Sequence, residues 1–267
     1  MNTDKLLVKP SSKVRLSGRD PSATHGYDKA KATQELQKHK ARMDELQEVL
    51  FAEKKHALLI VLQAMDAGGK DGTIRNVMTG MNPQGCTVTS FKAPSAEELS
   101  HDFLWRVHKA VPGKGHVGVF NRSHYEDVLI VRVHKLVPKS VWSERYSQIA
   151  TFERLVDENA CKVIKFFLHI SKDEQKRRLE ERIGDPTKWW KVNPADLEEH
   201  KRWDDYMAAY EDALSKCSTE QAPWYIIPAN RKWFRNVAIA QIVVETLEAM
   251  KMHYPKPEFD PAKTAIE

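Results

Sequence analysis

The sequence predicts an α/β fold, with a parallel sheet of five strands and helices on both faces. Three observations predict it. Five short stretches, 57–62, 86–91, 117–120, 163–170 and 224–228, are either continuously apolar or alternate like strands. Between them run segments whose apolar residues recur at helical spacing, and strands separated by helices need crossover connections and hence a parallel sheet. A glycine-rich turn, Asp66-Ala-Gly-Gly-Lys-Asp-Gly-Thr73, follows the most apolar stretch and precedes a helical one.

Each element has its own signal. Residues 1–30 are polar, carry Pro10, Pro21 and several serines, and read as an extended N-terminal arm; residues 31–267 read as a single domain. Leu36, Met43, Leu46 and Leu50 place one apolar face on a helix from about 32 to 55. Residues 57–62 form a continuous apolar run, fit for a strand buried on both faces. Ile74, Val77 and Met78 continue the glycine-rich turn as a helix. Leu99, Phe103, Val107 and Ala110 predict a helix, and Trp142, Tyr146, Ile149, Phe152 and Val156 predict another. Ser171-Lys-Asp-Glu174 reads as a capping box opening the helix after the fourth strand. Ala240, Val243, Leu247 and Met250 mark the last helix. The segment from about 182 to 202, with Gly184-Asp-Pro186, Lys188-Trp-Trp-Lys191 and Pro194, joins two helical stretches without adding a strand and reads as a lid insertion.

Composition removes several function classes. At 267 residues the chain suits one large domain, and its apolar content supports a core. The longest apolar run is far short of the ~20 residues that span a bilayer, and the N-terminus has no apolar signal core, so no membrane segment and no secretion are expected. Cys86, Cys161 and Cys217 form neither a disulfide framework nor a zinc pattern, which favours the cytoplasm. The net charge of +5 is mild, and 12 Lys and Arg against 8 Asp and Glu in residues 1–56 put most of it before the core. No aromatic–basic nucleic-acid module is present.

Four stretches carry chemistry. In 64–71 the phosphate-loop frame GxxxxGK[ST] has Ala64 for its first glycine and Asp71 for its Ser/Thr, yet Gly68, Gly69, Gly72 and Lys70 keep its physical logic of backbone N–H groups and one reaching ammonium. Asp66 would repel phosphate unless it holds Mg²⁺ against it; an N-cap is the plainer role. In 117–127 a short strand, 117–120, is followed by Asn121, Arg122, Ser123, His124 and the pair Glu126-Asp127, where α/β proteins bind ligands. Arg178 and Arg182 share a helix face and suit a polyanion, although residues 171–205 hold 9 Lys and Arg against 10 Asp and Glu, as a solvated face would. Trp189, Trp190 and Trp203 read as packing residues. The fourth stretch, 223–233, follows the last strand and is a weak cleft candidate.

Taken together, DAGGKDGT (66–73), FNRSHYEDVL (120–129), KFFLHISKDEQKRRL (165–179), the KWWK…WDDY segment (188–206) and APWYIIPANRKWFRN (222–236) resemble the family-2 polyphosphate kinases over about residues 34–250. The resemblance implies a three-layer α/β/α P-loop kinase-like fold with a helical lid, and Mg²⁺-dependent phosphoryl transfer between inorganic polyphosphate and nucleotides; Mn²⁺ is an acceptable substitute. It implies catalytic roles for Asp66, Lys70 and Arg122, and a lid arginine at Arg177 or Arg178. The commoner family form has Asp in place of Asn121 and lacks Glu126-Asp127; the form seen here resembles the class III subgroup, which phosphorylates AMP to ADP and ADP to ATP.

On that reading, polyphosphate runs along Gly68, Gly69, Lys70, Asp71, Gly72 and Thr73 to Arg177, Arg178 and Arg182. The adenine or guanine nucleotide meets Asn121, Arg122, Ser123, His124, Glu126 and Asp127, with Lys188 and Lys191 from the lid. Mg²⁺ is held by Asp66, with Glu126 or Asp127 as a second ligand, and Glu126 helps the site handle AMP as well as ADP. A homo-oligomer, tetramer or dimer, is expected, with the N-terminal helix as an interface. A nucleoside monophosphate kinase using ATP as donor is the rival reading, because it shares the fold and the lid.

Overall fold

The computed structural model describes residues 1–259. Its centre is a five-stranded, all-parallel sheet in the order β2-β3-β1-β4-β5, where β1 is Ala57–Gln63, β2 Cys86–Ser90, β3 Val117–Asn121, β4 Cys161–His169 and β5 Trp224–Pro228. All seven residues of β1 are buried, as its unbroken apolar run requires of a strand covered on both faces. The sheet pairs β1 with β3 on one side and β4 on the other. Connections from β1 therefore diverge, and the crevice at the C-terminal ends of β1, β3 and β4 is where α/β sheets bind ligands.

Among the described residues ten α-helices dress the sheet: α1 Lys29–Glu53, α2 Lys70–Val77, α3 Ala96–Leu99, α4 Trp105–His108, α5 Ile130–Val133, α6 Lys139–Glu158, α7 Lys172–Ile183, α8 Pro194–Lys201, α9 Trp203–Cys217 and α10 Lys232–Ala249. α10 packs on α1 and α2, and α6 packs on α9, which makes the two outer layers. α1 is capped by Asp28, whose carboxylate accepts from the Lys31 N–H at 2.8 Å, and it buries Met43, Leu46 and Leu50. The helix read across Leu99 to Ala110 is two short ones. Asp102 Oδ1 accepts from the Leu104 N–H at 2.9 Å between them, a side-chain turn that competes with helix continuation. Only half of the capping box forms: Ser171 Oγ accepts from the Glu174 N–H at 3.2 Å, while the Glu174 carboxylate is taken by Arg177 and Arg178.

Residues 6–8 lie along the outer edge of β5. Val8 N donates to Trp224 O and Leu6 O accepts from Ile226 N, each at 2.8 Å, so the edge strand is covered by the chain's own N-terminal segment. Between α7 and α9, a 3₁₀ turn at Pro186–Lys191 and then α8 form an arch, tied to α7 through Asp196 and Arg182. Trp203 packs as read, but Trp189 and Trp190 do not: they stand 60% and 78% exposed, because this arch has no layer above it to bury them. No helix among the described residues is long and apolar enough to cross a membrane.

Candidate active site

The loop after β1 has a backbone shape suited to an anion. Ala67 and Gly69 both have positive φ, 59° and 107°, and α2 starts directly behind them with no side-chain cap, which leaves first-turn N–H groups turned toward the loop. Two of its glycines are forced. A Cβ at Gly68 would lie 2.7 Å from the Met65 carbonyl, and one at Gly69 would overlap Nη1 of Arg235. Lys70 is buried, and its Nζ donates to Ala64 O at 2.9 Å, across the loop it closes. Burial holds its pKa below the ordinary lysine value, against the attraction of Asp66.

Arg122 stands at the end of β3 in a left-handed backbone conformation, φ 61°, of the kind that costs a non-glycine residue energy and clusters at working sites. Its Nη2 donates to Asp66 Oδ1 at 2.8 Å. Burial opposes the charge on Arg122, but Glu126 and Asp66 outweigh it and leave its pKa above the usual value. Glu126 Oε1 accepts from the buried Gln63 Nε2 at 3.2 Å. Beneath this turn lies a buried network: His124 and Tyr125 both reach Glu153 Oε1, at 3.1 and 2.9 Å, and Lys165 pairs with Glu153 and donates to Tyr125 Oη and Cys217 O. It fixes the segment that carries Arg122 and Glu126.

On the other side of the loop two guanidinium groups converge. Arg178, on α7, is 5% exposed and donates to Ala67 O, Gly68 O, Ala229 O and Asn230 O at 2.6–3.2 Å, with Glu174 on its Nε. Arg235, in the first turn of α10, reaches both Gly69 and Gly72. Its hydrogen bonds go to Asn236 Oδ1 alone, and among the described residues no carboxylate pairs with it. Burial and the neighbouring Arg178 push its pKa down to about 10. A buried guanidinium pair with one carboxylate between them is short of negative charge, and an anion at the loop would supply it.

The residues read from sequence divide accordingly. Asp66, Lys70, Arg122, Glu126 and Arg178 meet at the loop. Asn121 donates to Asp71 Oδ1 at its rim, and Thr73 Oγ1 donates to Gly69 O. Arg177 faces outward, half-exposed between Glu174 and Glu181. Arg182 is tied to Asp196 of α8 at 3.4 Å. Lys188 pairs with Asp185, and Lys191 sits over the Trp190 ring, both within the arch. Ser123 and His124 are both buried and turned down beneath the turn: Ser123 Oγ accepts from the Tyr125 N–H at 3.2 Å and His124 meets Glu153. Asp127 is turned to α6, where Arg145 binds it at 2.8 Å, and burial nevertheless raises its carboxyl to about 6.

Arg235, Gln63 and Gln175 were not singled out from sequence. Arg235 sits in a run with Arg231 and Lys232, and nothing in the spacing says which cation turns inward. Among the described residues no three His, Cys, Asp or Glu side chains form a cage. Mg²⁺ binds by one or two carboxylates, substrate phosphates and water rather than by an all-protein cage, so Asp66 with Glu126 beside it fits that ion.

Comparison with known proteins agrees with this geometry. The family model for polyphosphate kinase 2 matches residues 26–255. An AMP/ADP-polyphosphate phosphotransferase of Meiothermus ruber is 51% identical over 265 residues, covering 98% of this chain and 99% of that one. An ADP-polyphosphate phosphotransferase of Rhodopseudomonas palustris is 51% identical over 227 residues, covering 80% and 78%. The crystal structure of polyphosphate kinase 2 from Arthrobacter aurescens superposes with a TM-score of 0.91 at 46% identity, over 96% of this chain and 95% of the other. The sheet order, the loop after β1 and the helical arch are thus those of a P-loop kinase-like fold, and the chain belongs to the polyphosphate kinase 2 family.

Proposed function

We propose that this chain transfers phosphoryl groups from inorganic polyphosphate to AMP and to ADP, with Mg²⁺ held by Asp66 and Glu126 together with substrate phosphates. The observation that carries the reading is the pair of cationic walls on the one loop: Arg178 and Arg235 converge on Gly69, while Arg122, fastened to Asp66, stands at the end of β3. Two polyanions need two such walls. The names of the relatives from Meiothermus ruber and Rhodopseudomonas palustris support the same substrates.

The chemistry asks little beyond charge and alignment. The attacking group is a nucleotide phosphate oxygen, already anionic near neutral pH, so no side chain has to remove a proton. The loop N–H groups, Lys70, Arg178 and Arg235 hold the polymer; Arg122 holds the acceptor phosphate in line. Mg²⁺ held at Asp66 would neutralise charge on the phosphates. Replacing Lys70 or Arg122 by alanine costs about 10²–10³ in rate, the scale of one preorganised electrostatic stabiliser. We take the protein to work in the cytoplasm as a homo-oligomer, tetramer or dimer; its three cysteines are unpaired thiols.

The test is incubation with long-chain polyphosphate, Mg²⁺ and either AMP or ADP, followed by nucleotide chromatography. ATP from both, with ADP preceding ATP when AMP is supplied, is the expected result. ATP from ADP alone removes AMP from the proposal. Activity only with ATP and a nucleoside monophosphate replaces it by the rival kinase reading. Within the proposal Glu126 serves AMP use, so E126A lowers the AMP rate more than the ADP rate; AMP and ADP rates left equally unchanged contradict that role.

A further inference from the structure

Gln175 lies in the first turn of α7 and is fully buried. Its Nε2 donates to the main-chain oxygen of Asp66 at 3.0 Å. A carbonyl only accepts, so this bond orients the amide and leaves Oε1 as an acceptor. His200, near the end of α8, meets Oε1 through Nδ1 at 2.6 Å, so the proton of that bond belongs to His200 Nδ1. Two hydrogen bonds in series therefore run from the arch to the backbone of Asp66, whose carboxylate holds Arg122.

α8 has other ties. Asp196 is bound to Arg182 at 3.4 Å, and Glu199 accepts from Tyr206 Oη at 2.6 Å and meets His134 Nε2 at 2.8 Å. These fasten α8 to α7, to α9 and to the residue that follows α5. The His200 tie alone continues into the phosphate loop. We infer that Gln175 is a positioning residue which couples the seating of α8 to the placement of Asp66. With α8 down, His200 holds the amide with its donor on the Asp66 carbonyl. With α8 lifted, Oε1 loses its partner inside the protein, the amide is free to turn, and the loop segment at Asp66 loosens. Closure over substrate thus completes the site as well as covering it. The inference rests on the phosphotransfer reading for its kinetic consequence, and its structural half stands without turnover.

The variants are H200L, H200N, Q175M and the double variant H200L/Q175M. The side-chain NH₂ of asparagine can stand where Nδ1 stands, so H200N keeps the donor and H200L removes it. With polyphosphate and ADP, kcat of H200L falls by about tenfold, the scale of an outer hydrogen-bond partner, with KM within about twofold and H200N close to wild type. The double variant is no slower than Q175M. Deuterium exchange of the peptide spanning residues 66–70 reads the same coupling with no substrate present: it rises in H200L and not in H200N. Wild-type kcat and wild-type exchange in H200L overturn the inference, as do an H200N variant as impaired as H200L or single effects that multiply in the double variant. A wild-type protein without polyphosphate activity strikes the functional reading instead, and the exchange experiment then decides the coupling by itself.

Discussion

Asn121 Nδ2 donates to Asp71 Oδ1 across 2.8 Å, and so ties the end of β3 to the first turn of α2. An acid in place of Asn121 would face Asp71 with no proton to share.

That pair yields a swap experiment. N121D sets two carboxylates against each other at the rim of the loop and costs about 0.5–1 kcal/mol, the range for an exposed charged pair. N121D/D71N puts donor and acceptor back with their positions exchanged. Urea denaturation should show the single variant weakened and the double variant recovered. A double variant as weak as the single one would show that the contact is incidental.

Arg177 and Arg178 are adjacent in sequence and opposite in situation. R177A breaks two exposed ion pairs, worth well under about 1 kcal/mol each, and leaves the rate within about twofold. R178A removes the donor shared by four carbonyls of the loop and of the turn after β5 and costs about 10² or more in rate. Lysine at 178 cannot span those four acceptors and does not rescue it. Initial rates with polyphosphate and ADP check all three variants; comparable losses at both positions would contradict the assignment.

At Gly69 the backbone has φ 107° and the space above it belongs to Arg235. G69A therefore carries two penalties, an unfavourable conformation of about 1 kcal/mol or more and a displaced guanidinium. Activity should fall by about 10²-fold or more, as for loss of a stabilising charge. G18A, in open space with ordinary backbone angles, is the control and should behave as wild type in the same assay.

The thiols provide a pH test. Burial pushes Cys161 and Cys217 up to about 12, and Cys86 upward as well. The thiolate is the reactive form, so at pH 8 a thiol reagent should label the native protein slowly and all three cysteines quickly in denaturant. The sign for stability follows from linkage. Between about 9, where an unfolded thiol ionises, and about 12, the unfolded state has released protons that the folded state keeps, so stability falls as pH rises through that window. Serine at both buried positions should flatten the alkaline decline measured by thermal melts; an undiminished decline would assign it to the buried tyrosines Tyr125 and Tyr210, whose hydroxyls burial also raises.

Much of the architecture was legible because it is local. A strand buried on both faces needs an unbroken apolar run, and 57–62 is one. A helix after a phosphate loop needs glycines where N–H groups must approach, and 68, 69 and 72 supply them. Helix phase is also local, which is why Met43, Leu46 and Leu50 were found facing inward. The break between α3 and α4 was missed because Asp102 competes for the backbone in a way that periodicity does not register.

The direction of a polar side chain is a different kind of fact. Nothing near Arg178 in the chain distinguishes it from Arg177; the phase of α7 against the Ala67–Gly68 carbonyls does, and those lie about 110 residues away. Arg235 reaches the loop because α10 packs beside α2, and Ser123 and His124 turn away from it because Glu153 and Lys165 wait beneath. Sequence periodicity and turn chemistry therefore determined the strands and the glycine-rich turn, since each depends on neighbours along the chain. Which cations face that turn was decided only by packing between distant segments, since a side chain's partners are set by what is folded against it.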